Sequence, residues 1–333
     1  MCLSLRSIYE KRGNVLSRVL ITGANSGIGY ATSLLLAEKG HQVWAGVRKL
    51  EKAKSLIEVA QNRNLSVHVI QLDVNDDSSV KRAVDQMIRA AGAVDVLINN
   101  AGVGGSGVVE DVDIDLGKAI FETNFWGVIR CTQAVLPSMR EQGSGQIINL
   151  TSFLGRLAGL GQLVYSASKW SVESLSESLA QEVGPLGVRV SIIEPGSTHS
   201  RIIENAINSD HTPSEISSAY ESFYRRTTRL YEHGWSAAAQ PQLVARTILQ
   251  AMEDSSPRLR YPCAWGAETL ISARSKMSDE DWVSLGSFDT DGGYYAHFEK
   301  LFGIDISFPA KFEVKSGWRA KFKRLMKGWL SKF

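Results

Sequence analysis

Tyr165 and Lys169 stand four residues apart in the segment YSASK, and only small residues separate them. On a helix this spacing places both side chains on one face, one turn apart. A phenol can exchange the proton of an alcohol group when its pKa, about 10 in a free peptide, is brought down, and a nearby ammonium group favours the phenolate. The pair is therefore suited to proton transfer to or from an alcohol oxygen. The same spacing also arises by chance on any helix, so the surrounding motifs must decide between the two interpretations.

A third polar group, Ser152, lies thirteen residues before Tyr165, at the end of a predicted buried strand. The carboxyl ends of the strands of a parallel sheet open onto one crevice, so Ser152, Tyr165 and Lys169 can meet there. A hydroxyl at this place can hydrogen-bond the oxygen of a substrate. Taken alone, the same hydroxyl is as well suited to binding the backbone at the end of its strand.

A glycine-rich turn near the start of the chain predicts a dinucleotide site. The segment VLITGANSGIGYA places Gly23, Gly27 and Gly29 between an apolar strand and a helix that begins near Ile28. The glycines permit a tight turn and close approach of the backbone, and the helix N-terminus offers free N–H groups to a pyrophosphate. A plain surface loop is the alternative, and the flanking strand and helix argue against it.

The end of the second predicted strand indicates which dinucleotide binds. An acidic residue there would hydrogen-bond the ribose 2′-hydroxyl of NAD and repel the 2′-phosphate of NADP. Positions 45–48 carry no acidic residue, and the strand is followed by Arg48 and Lys49. Because a guanidinium group suits a phosphate by charge and by its forked donors, the sequence favours NADP(H). Solvated surface charges are the alternative.

Short apolar segments alternate with segments of helical periodicity along most of the chain. Strands buried on both faces of a parallel sheet have this composition, and helices between them supply right-handed crossovers. The sequence therefore predicts an α/β fold, a doubly wound Rossmann-type parallel sheet of about seven strands with helices on both faces. The predicted strands are 18–22, 42–47, 66–72, 95–100, 145–151, 188–194 and 257–264, and the predicted helices include 28–39, 77–92, 163–184 and 241–254.

Two more segments complete the predicted organisation. Residues 1–275 form the nucleotide-binding catalytic domain, with a lid at about 197–236, and residues 276–333 form a helical C-terminal extension packed on the outside. The last segment, 315–333, has the pattern of a basic amphipathic helix. Such a helix binds an anionic membrane surface, or it docks on the subunit or its dimer partner, and the sequence leaves these alternatives open.

Composition and charge exclude several classes of function. The net charge of +2 predicts no nucleic-acid footprint for the 333-residue chain. The three cysteines, Cys2, Cys131 and Cys263, lack the close spacing of metal or redox motifs, so no metal is expected. No segment approaches the roughly 18 apolar residues of a transmembrane helix, and the N-terminus lacks the apolar stretch of a secretory signal. We therefore expect a cytoplasmic protein, with contact to a membrane surface possible only through 315–333.

Several ordered motifs together resemble the short-chain dehydrogenase/reductase family. They are TGANSGIG at 22–29, LDV at 72–74, NNAG at 99–102, TNFWG at 123–127, LTSFLGR at 150–156, YSASK at 165–169 and EPG at 194–196, within a resemblance that covers about 17–265. The resemblance implies that Tyr165 is the general acid/base and that Lys169 lowers its pKa and holds the nicotinamide ribose. It also implies that Ser152 orients the substrate carbonyl and that Asn124 keeps a water molecule for a proton relay.

The same resemblance implies a set of cofactor contacts. Asp73 would contact the adenine. Ser200 stands where many members have a threonine that binds the nicotinamide amide, and Thr198 is the alternative for this contact. Together with Tyr165 and Lys169, the implied contacts are Thr22, Gly23, Asn25, Ser26, Gly27, Ile28, Gly29, Arg48, Lys49, Asp73, Val74, Asn100, Ala101, Gly102, Pro195, Gly196, Thr198 and Ser200.

Apolar residues around the predicted site indicate a lipophilic substrate. An aromatic stripe that includes Tyr220, Tyr224 and Tyr231 can alternatively pack the lid onto the body of the protein. In several stretches the chain looks similar to the branch of the family that includes 17β-hydroxysteroid and retinol dehydrogenases, which implies a lipophilic ketone or alcohol. The candidate pocket residues are Val103, Phe153, Leu154, Leu160, Tyr220 and Tyr224.

The sequence as a whole predicts an NADP(H)-dependent oxidoreductase that interconverts a lipophilic ketone and a secondary alcohol, with Tyr165 as general acid/base. The family resemblance further implies a homodimer. Two alternatives remain open. One is an NADP-binding regulatory or scaffold protein without turnover, and the other is a reductase of 3-oxoacyl thioesters.

Overall fold

Within residues 16–200 and 218–308, which the computed structural model describes, seven strands form one parallel sheet. The strands are β1 (Arg18–Thr22), β2 (Gln42–Val47), β3 (Val67–Gln71), β4 (Val96–Asn99), β5 (Gly145–Leu150), β6 (Val188–Pro195) and β7 (Arg260–Cys263). Their order in the sheet is β3-β2-β1-β4-β5-β6-β7, and every neighbouring pair is parallel. The chain changes direction across the sheet between β1 and β4, and a crevice opens at their carboxyl ends. The predicted doubly wound sheet is confirmed.

The strands are apolar at successive positions because both faces of the sheet are covered. Successive side chains of a strand point to opposite faces. In β1, Val19 and Ile21 belong to one apolar core and Leu20 belongs to the other, and none of the three has exposed surface. A strand buried on one face only would alternate apolar and polar residues.

Helices form a layer on each face of the sheet. They are α1 (Gly27–Glu38), α2 (Lys54–Asn62), α3 (Asp77–Ala91), α4 (Ile114–Phe121), α5 (Gly127–Gln142), α6 (Leu163–Val183), α7 (Glu221–Ser236), α8 (Pro241–Glu253), α9 (Ala267–Ser275), α10 (Asp279–Ser284) and α11 (Asp291–Phe302). α1 and α8 pack against each other, and Leu36 and Ile248 belong to the same apolar core as Val19. α3, α5 and α6 cover the opposite face, where Met87 and Val135 join the second core.

The C-terminal extension packs on the rest of the protein through a third apolar core at the carboxyl end of β5. Leu285 and Phe298 of the extension are buried there with Leu154, Leu157 and Leu270. The extension therefore builds part of the wall around the candidate site.

Most predicted helix and strand ends agree closely with the structure, and local chemistry explains several of them. α3 begins at Asp77 because the carboxylate of Asp76 accepts the N–H of Ser79 at 3.1 Å. Within the predicted lid, the structure describes the helix α7 from Glu221 to Ser236. Residues 201–217 of the predicted lid and the predicted helix 315–333 lie outside the described residues. None of the described helices combines the length and the apolar composition needed to cross a membrane.

Gly196, which follows β6, tests how tightly the strand ends are packed. A Cβ atom here would lie 1.8 Å from the carbonyl oxygen of Trp265, a contact that only a backbone shift can relieve. We expect Gly196→Ala to lower the free energy of unfolding by about 1–3 kcal/mol, the usual cost of overpacking. Gly184→Ala is the matched control, because a Cβ atom there meets nothing within 4 Å. Equilibrium unfolding in urea measures both variants, and equal stabilities would contradict the packing.

Candidate active site

The first turn of α1 suits the pyrophosphate of a dinucleotide. Ser26 precedes the helix, and its hydroxyl makes no capping hydrogen bond. Gly23 and Gly27 have φ angles of +67° and +54°, a region that glycine adopts without steric cost. Asn25 lies between them and is half-buried. The helix terminus therefore keeps backbone N–H donors without a side-chain cap, the arrangement that binds anions.

A group of hydrogen bonds, called the joint below, connects the ends of β1 and β4 beside this turn. The hydroxyl of Thr22 accepts the backbone N–H groups of Asn100 and Ala101 at 3.0 and 2.9 Å. The amide of Asn100 donates to the carbonyls of Thr22 and Gly23 at 2.8 and 3.1 Å. A Cβ atom on Gly29 would lie 2.5 Å from Asn100 Nδ2, so α1 can approach the joint only with glycine at this position. These residues fix the shape of the turn.

The residues predicted to contact the adenosine part of a cofactor follow β2 and β3 at the same edge of the sheet. Arg48 and Lys49 are exposed directly after β2. Asp73 is half-buried after β3, and its carboxylate accepts the N–H of Asn75 at 3.1 Å. Val74 is 7% exposed. Its side chain therefore packs into the protein, which leaves its backbone for any contact with a ligand.

A cavity of about 490 Å³ lies at the carboxyl ends of the strands and joins the nucleotide end of the site to the chemical end. Thr198 on its wall donates its hydroxyl to the carbonyl of Gly196 at 3.1 Å. Ala101 and Gly102 are half-buried beside the wall residue Asn100. From the predicted cofactor and catalytic sets, the wall contains Ile28, Asn100, Ser152, Tyr165, Lys169, Pro195, Gly196, Thr198 and Ser200.

Three of the predicted catalytic groups meet on this wall. Ser152 follows β5, and its hydroxyl forms a hydrogen bond with that of Tyr165 on α6. It also accepts the N–H of Leu154 at 3.2 Å. Lys169 lies one turn further along α6, with Nζ 5.9 Å from the ring centroid of Tyr165. Nζ donates to the carbonyl of Leu150 at 2.9 Å. The hydroxyl of Ser152 thus contacts both the backbone and Tyr165. It binds the backbone after its strand, and it also lies beside the tyrosine where it can bind a substrate oxygen.

Burial governs the protonation of this pair. It raises the pKa of Tyr165 to about 12, against a smaller lowering by the hydrogen bond with Ser152. It lowers the pKa of Lys169 to about 8, against a smaller raising by the carboxylate of Glu173. Near neutral pH the protein therefore holds Tyr165 as a phenol and Lys169 mainly as an ammonium group. The expectation that Lys169 lowers the pKa of Tyr165 stays a prediction, because burial and Ser152 are the two causes that shift the pKa of the phenol in this structure.

A buried ion network lies beside Lys169, and the sequence analysis assigned it no role. Glu173 is 5% exposed and accepts the hydroxyl of Thr151 at 2.5 Å and Nε of Arg260 at 2.9 Å. Arg260 also approaches Glu194 to 3.5 Å. The signal for Glu173 was present in the sequence, because it follows Lys169 by four residues and shares its helix face. The signal for Arg260 was absent, since only the sheet brings it there.

Asn124 lies behind the cavity wall rather than in it. It belongs to the π-helical turn Glu122–Trp126, a conformation frequent at functional sites. Its amide donates to the carbonyl of Val103 at 2.9 Å and to the hydroxyl of Ser168 at 3.0 Å, and it accepts the N–H of Val103 at 2.8 Å. The Ser168 hydroxyl donates to the carbonyl of Tyr165 at 2.7 Å. Asn124 therefore connects the loop after β4 to the helical turn that carries the tyrosine.

Apolar and aromatic side chains form most of the cavity wall. Among the predicted pocket residues, Phe153, Leu154, Leu160 and Tyr224 line it. The described part of the chain corrects the other two predictions, because neither Val103 nor Tyr220 lines the cavity. The backbone N–H of Val103 donates to Asn124, and the side chain of Tyr220 forms a hydrogen bond with Glu110. The described residues also contain no group of three or more His, Cys, Asp or Glu side chains placed to hold a metal ion.

One face of α7 forms part of the cavity wall. Tyr224, Thr227, Tyr231 and Trp235 line the cavity at spacings of three and four residues, which is one helix face. Burial raises the pKa of Tyr231, and the nearby Tyr165 raises it further by a smaller amount. The two tyrosines therefore lie close together. The wall also contains residues that the sequence did not indicate, namely Leu270 of α9 and Trp282, Tyr294, Phe298 and Phe302 of the extension.

Comparisons with known proteins relate the chain to dehydrogenases and reductases. A family model described as short chain dehydrogenase matches residues 17–211. A 3-ketodihydrosphingosine reductase of Bacteroides thetaiotaomicron is 34% identical over 243 residues, which cover 73% of this chain and 86% of the relative. The 17-beta-hydroxysteroid dehydrogenase type 1 of Homo sapiens is 36% identical over 255 residues, covering 73% and 76%. The solved structure of an actinorhodin polyketide ketoreductase with NADPH superposes with a TM-score of 0.66 at 27% identity, covering 77% and 99%.

Proposed function

The chain belongs to the short-chain dehydrogenase family, and on this basis we propose that it interconverts a largely apolar ketone and the corresponding secondary alcohol with NADP(H). The observation that carries the proposal is the meeting of Ser152, Tyr165 and Lys169 on the wall of one cavity. Reduction of a ketone needs a proton donor within hydrogen-bond reach of the reacting oxygen. The phenol of Tyr165, protonated near neutral pH, is a group of this kind.

The proposed cofactor is NADP(H), which when bound would supply a hydride for reduction or accept one in oxidation. The glycine turn and the first N–H groups of α1 would hold its pyrophosphate. Arg48, exposed after β2, would face the 2′-phosphate, because a guanidinium group pairs with phosphate through two parallel hydrogen bonds. The presence of NADPH in the similar polyketide ketoreductase structure supports this choice.

Tyr165, Ser152 and Lys169 would each have a separate role in the proton transfer. In reduction, Tyr165 would donate its hydroxyl proton to the substrate oxygen, and Ser152 would hydrogen-bond the same oxygen and orient it. The ammonium group of Lys169 would stabilise the phenolate that remains, because an opposite charge nearby favours the ionised form. Glu173 supports this role, since its carboxylate raises the pKa of Lys169 against the effect of burial.

The proposed substrate class follows from the wall of the cavity. Leu154, Leu160 and Phe153 line the cavity together with side chains of α7 and the extension. Ligand sites with such walls bind largely apolar molecules and orient them by a few polar groups. Two relatives are named for 3-ketodihydrosphingosine and for a 17-beta-hydroxysteroid, both with extensive hydrocarbon parts, and this supports a lipophilic substrate.

Replacing the proposed proton donor gives the first test of function. We expect Tyr165→Phe to lower kcat/KM for NADPH-dependent ketone reduction at least about a hundredfold, the usual range for a lost general acid. Cofactor binding should change little, and fluorescence titration with NADPH measures it. Tyr295→Phe is the control, because Tyr295 is outside the cavity wall. Full turnover in Tyr165→Phe would contradict the assignment.

A panel of steroid, retinoid, acyl and aromatic ketones tests the alternative of a regulatory protein without turnover. A wild-type protein that binds NADPH but reduces none of these ketones would favour that alternative.

The cofactor choice is tested at the end of β2. We expect Arg48→Asp to lower the ratio of kcat/KM for NADPH to that for NADH at least about tenfold, because a carboxylate repels the 2′-phosphate and accepts the ribose hydroxyl of NAD. Arg89→Asp, on the exposed surface of α3, makes the same charge change elsewhere. An unchanged ratio in Arg48→Asp would mean that other residues select the cofactor.

The pH profile tests the role of Lys169. Its ammonium form is present below a pKa of about 8, so kcat/KM for ketone reduction should fall as the pH rises above that value. Glu173→Gln removes the carboxylate that raises this pKa, and the fall should therefore begin at lower pH. Glu177→Gln is the matched control, because Glu177 also pairs with Arg260 but on the exposed surface. An unchanged pH profile in both variants, or an equal shift in both, would contradict this role of Lys169.

A further inference from the structure

We infer that the cavity contains a second polar subsite, formed by Asp111, Tyr224 and Thr227, that binds a hydroxyl or ammonium group of the substrate remote from its ketone. This inference rests on the proposed function, and it narrows the substrate class to apolar ketones with a second, hydrogen-bond-donating end. All three residues line the same cavity as Ser152 and Tyr165.

A carboxylate forms the centre of this subsite. Asp111 ends the short turn Val109–Asp111 before α4, and it is half-buried in the cavity wall. Its Oδ2 accepts the hydroxyl of Tyr224 at 2.6 Å. Burial and this hydrogen bond raise the pKa of Tyr224 to about 12, so its phenol keeps the proton that it donates. A carboxylate can accept about four hydrogen bonds, so acceptor capacity remains for a ligand.

Thr227 supplies an independent observation that points to a ligand. The residue is 8% exposed. Within residues 16–200 and 218–308, its Oγ1 has no hydrogen-bond partner. Buried hydroxyl groups nearly always have a partner, because an unsatisfied one loses the hydrogen bonds of water without replacement. Thr227 follows Tyr224 by three residues on α7, so both residues belong to the helix face that lines the cavity.

The orientation of this helix face is fixed from the other side of α7. Arg226 is 4% exposed and donates through Nε to Asp291 at 2.9 Å and through Nη2 to the carbonyl of Phe288 at 2.6 Å. Its guanidinium also lies 5.2 Å from the ring centroid of Tyr294. These contacts join α7 to the extension. They hold the face with Tyr224 towards the cavity before any ligand binds.

The subsite lies at a distance from the reacting groups. Tyr231 is the residue of α7 next to Tyr165, and Tyr224 precedes it by seven residues, or two helical turns. At about 1.5 Å per residue, the two positions are roughly 10 Å apart along the helix axis. A ligand that reaches both ends must therefore carry its donor group several bonds away from the ketone.

The charge of the subsite sets its selectivity. Asp111 makes no salt bridge with the basic side chains that the structure describes, and its carboxylate adjoins an apolar wall. It favours ligands that donate hydrogen bonds, whether from a hydroxyl or from an ammonium group. It disfavours carboxylate or phosphate groups, because like charges repel strongly where water is excluded.

The test compares methyl ketones with straight alkyl chains of several lengths, each unsubstituted or with a terminal hydroxyl, amino or carboxylate group. A flexible chain lets the terminal group reach the subsite at whichever length fits. We expect the best hydroxy or amino ketone to exceed the unsubstituted ketone of the same length at least about tenfold in kcat/KM, as a hydrogen bond to a charged group permits. The carboxylate analogue should be the poorest substrate.

Variants assign this preference to the subsite. We expect Asp111→Asn to reduce the ratio of kcat/KM between substituted and unsubstituted ketones at least about fivefold, and Thr227→Val to reduce it in the same direction. Glu110→Gln is the matched control, because Glu110 is the neighbouring carboxylate and does not line the cavity. Thr227→Val keeps the side-chain shape and tests the subsite if Asp111→Asn fails to fold.

Calorimetric binding separates this inference from the proposed function. If the protein reduces none of these ketones, the proposed function fails, and the affinities of the same compounds still test the subsite. Tighter binding of the hydroxy and amino compounds by the wild type, reduced in Asp111→Asn, supports the inference. Equal affinities for substituted and unsubstituted compounds overturn it. The inference is also overturned if Asp111→Asn and Glu110→Gln both keep the wild-type preference for the hydroxy and amino compounds.

Discussion

The burial of one positive charge constrains the arrangement of the site. Lys169 is 4% exposed, and removing an ammonium group from water costs several kcal/mol unless acceptors and opposite charges surround it. The carbonyl of Leu150 and the carboxylate of Glu173 provide these partners, and Arg260 with Thr151 holds Glu173 in place. The partners come from β5, α6 and β7. The charge is therefore stabilised only when the strands of this half of the sheet are assembled.

The exclusion of water from the site depends on α7 and the C-terminal extension, which lie at the carboxyl ends of the strands. A phenol and an ammonium group influence each other more strongly in a low-dielectric surrounding, and α7 with the C-terminal extension supplies that surrounding. Arg226 and Asp291 join these two elements, while Leu154 and Phe298 bury the extension against the loop after β5. The extension thus forms part of the apolar surroundings of Tyr165.

The sequence predicted those features whose signals are local. The glycine turn and the pair Tyr165 and Lys169 lie within single turns or helices, so their spacing alone indicated their geometry. Features that depend on contacts between distant segments were not predictable. Asp111 meets Tyr224 across 113 positions of the chain. The raised pKa of Tyr165 depends on burial, and burial depends on the whole fold.

We propose that the reacting oxygen binds between the hydroxyl groups of Ser152 and Tyr165. A crystal structure with NADP⁺ and a methyl ketone would show this position, because the oxidised cofactor and the ketone cannot react and the complex persists. We predict that the ketone oxygen lies within hydrogen-bond distance, about 2.6–3.2 Å, of both hydroxyl oxygens. A ketone oxygen bound elsewhere in the cavity, with both hydroxyl groups out of reach, would contradict the account.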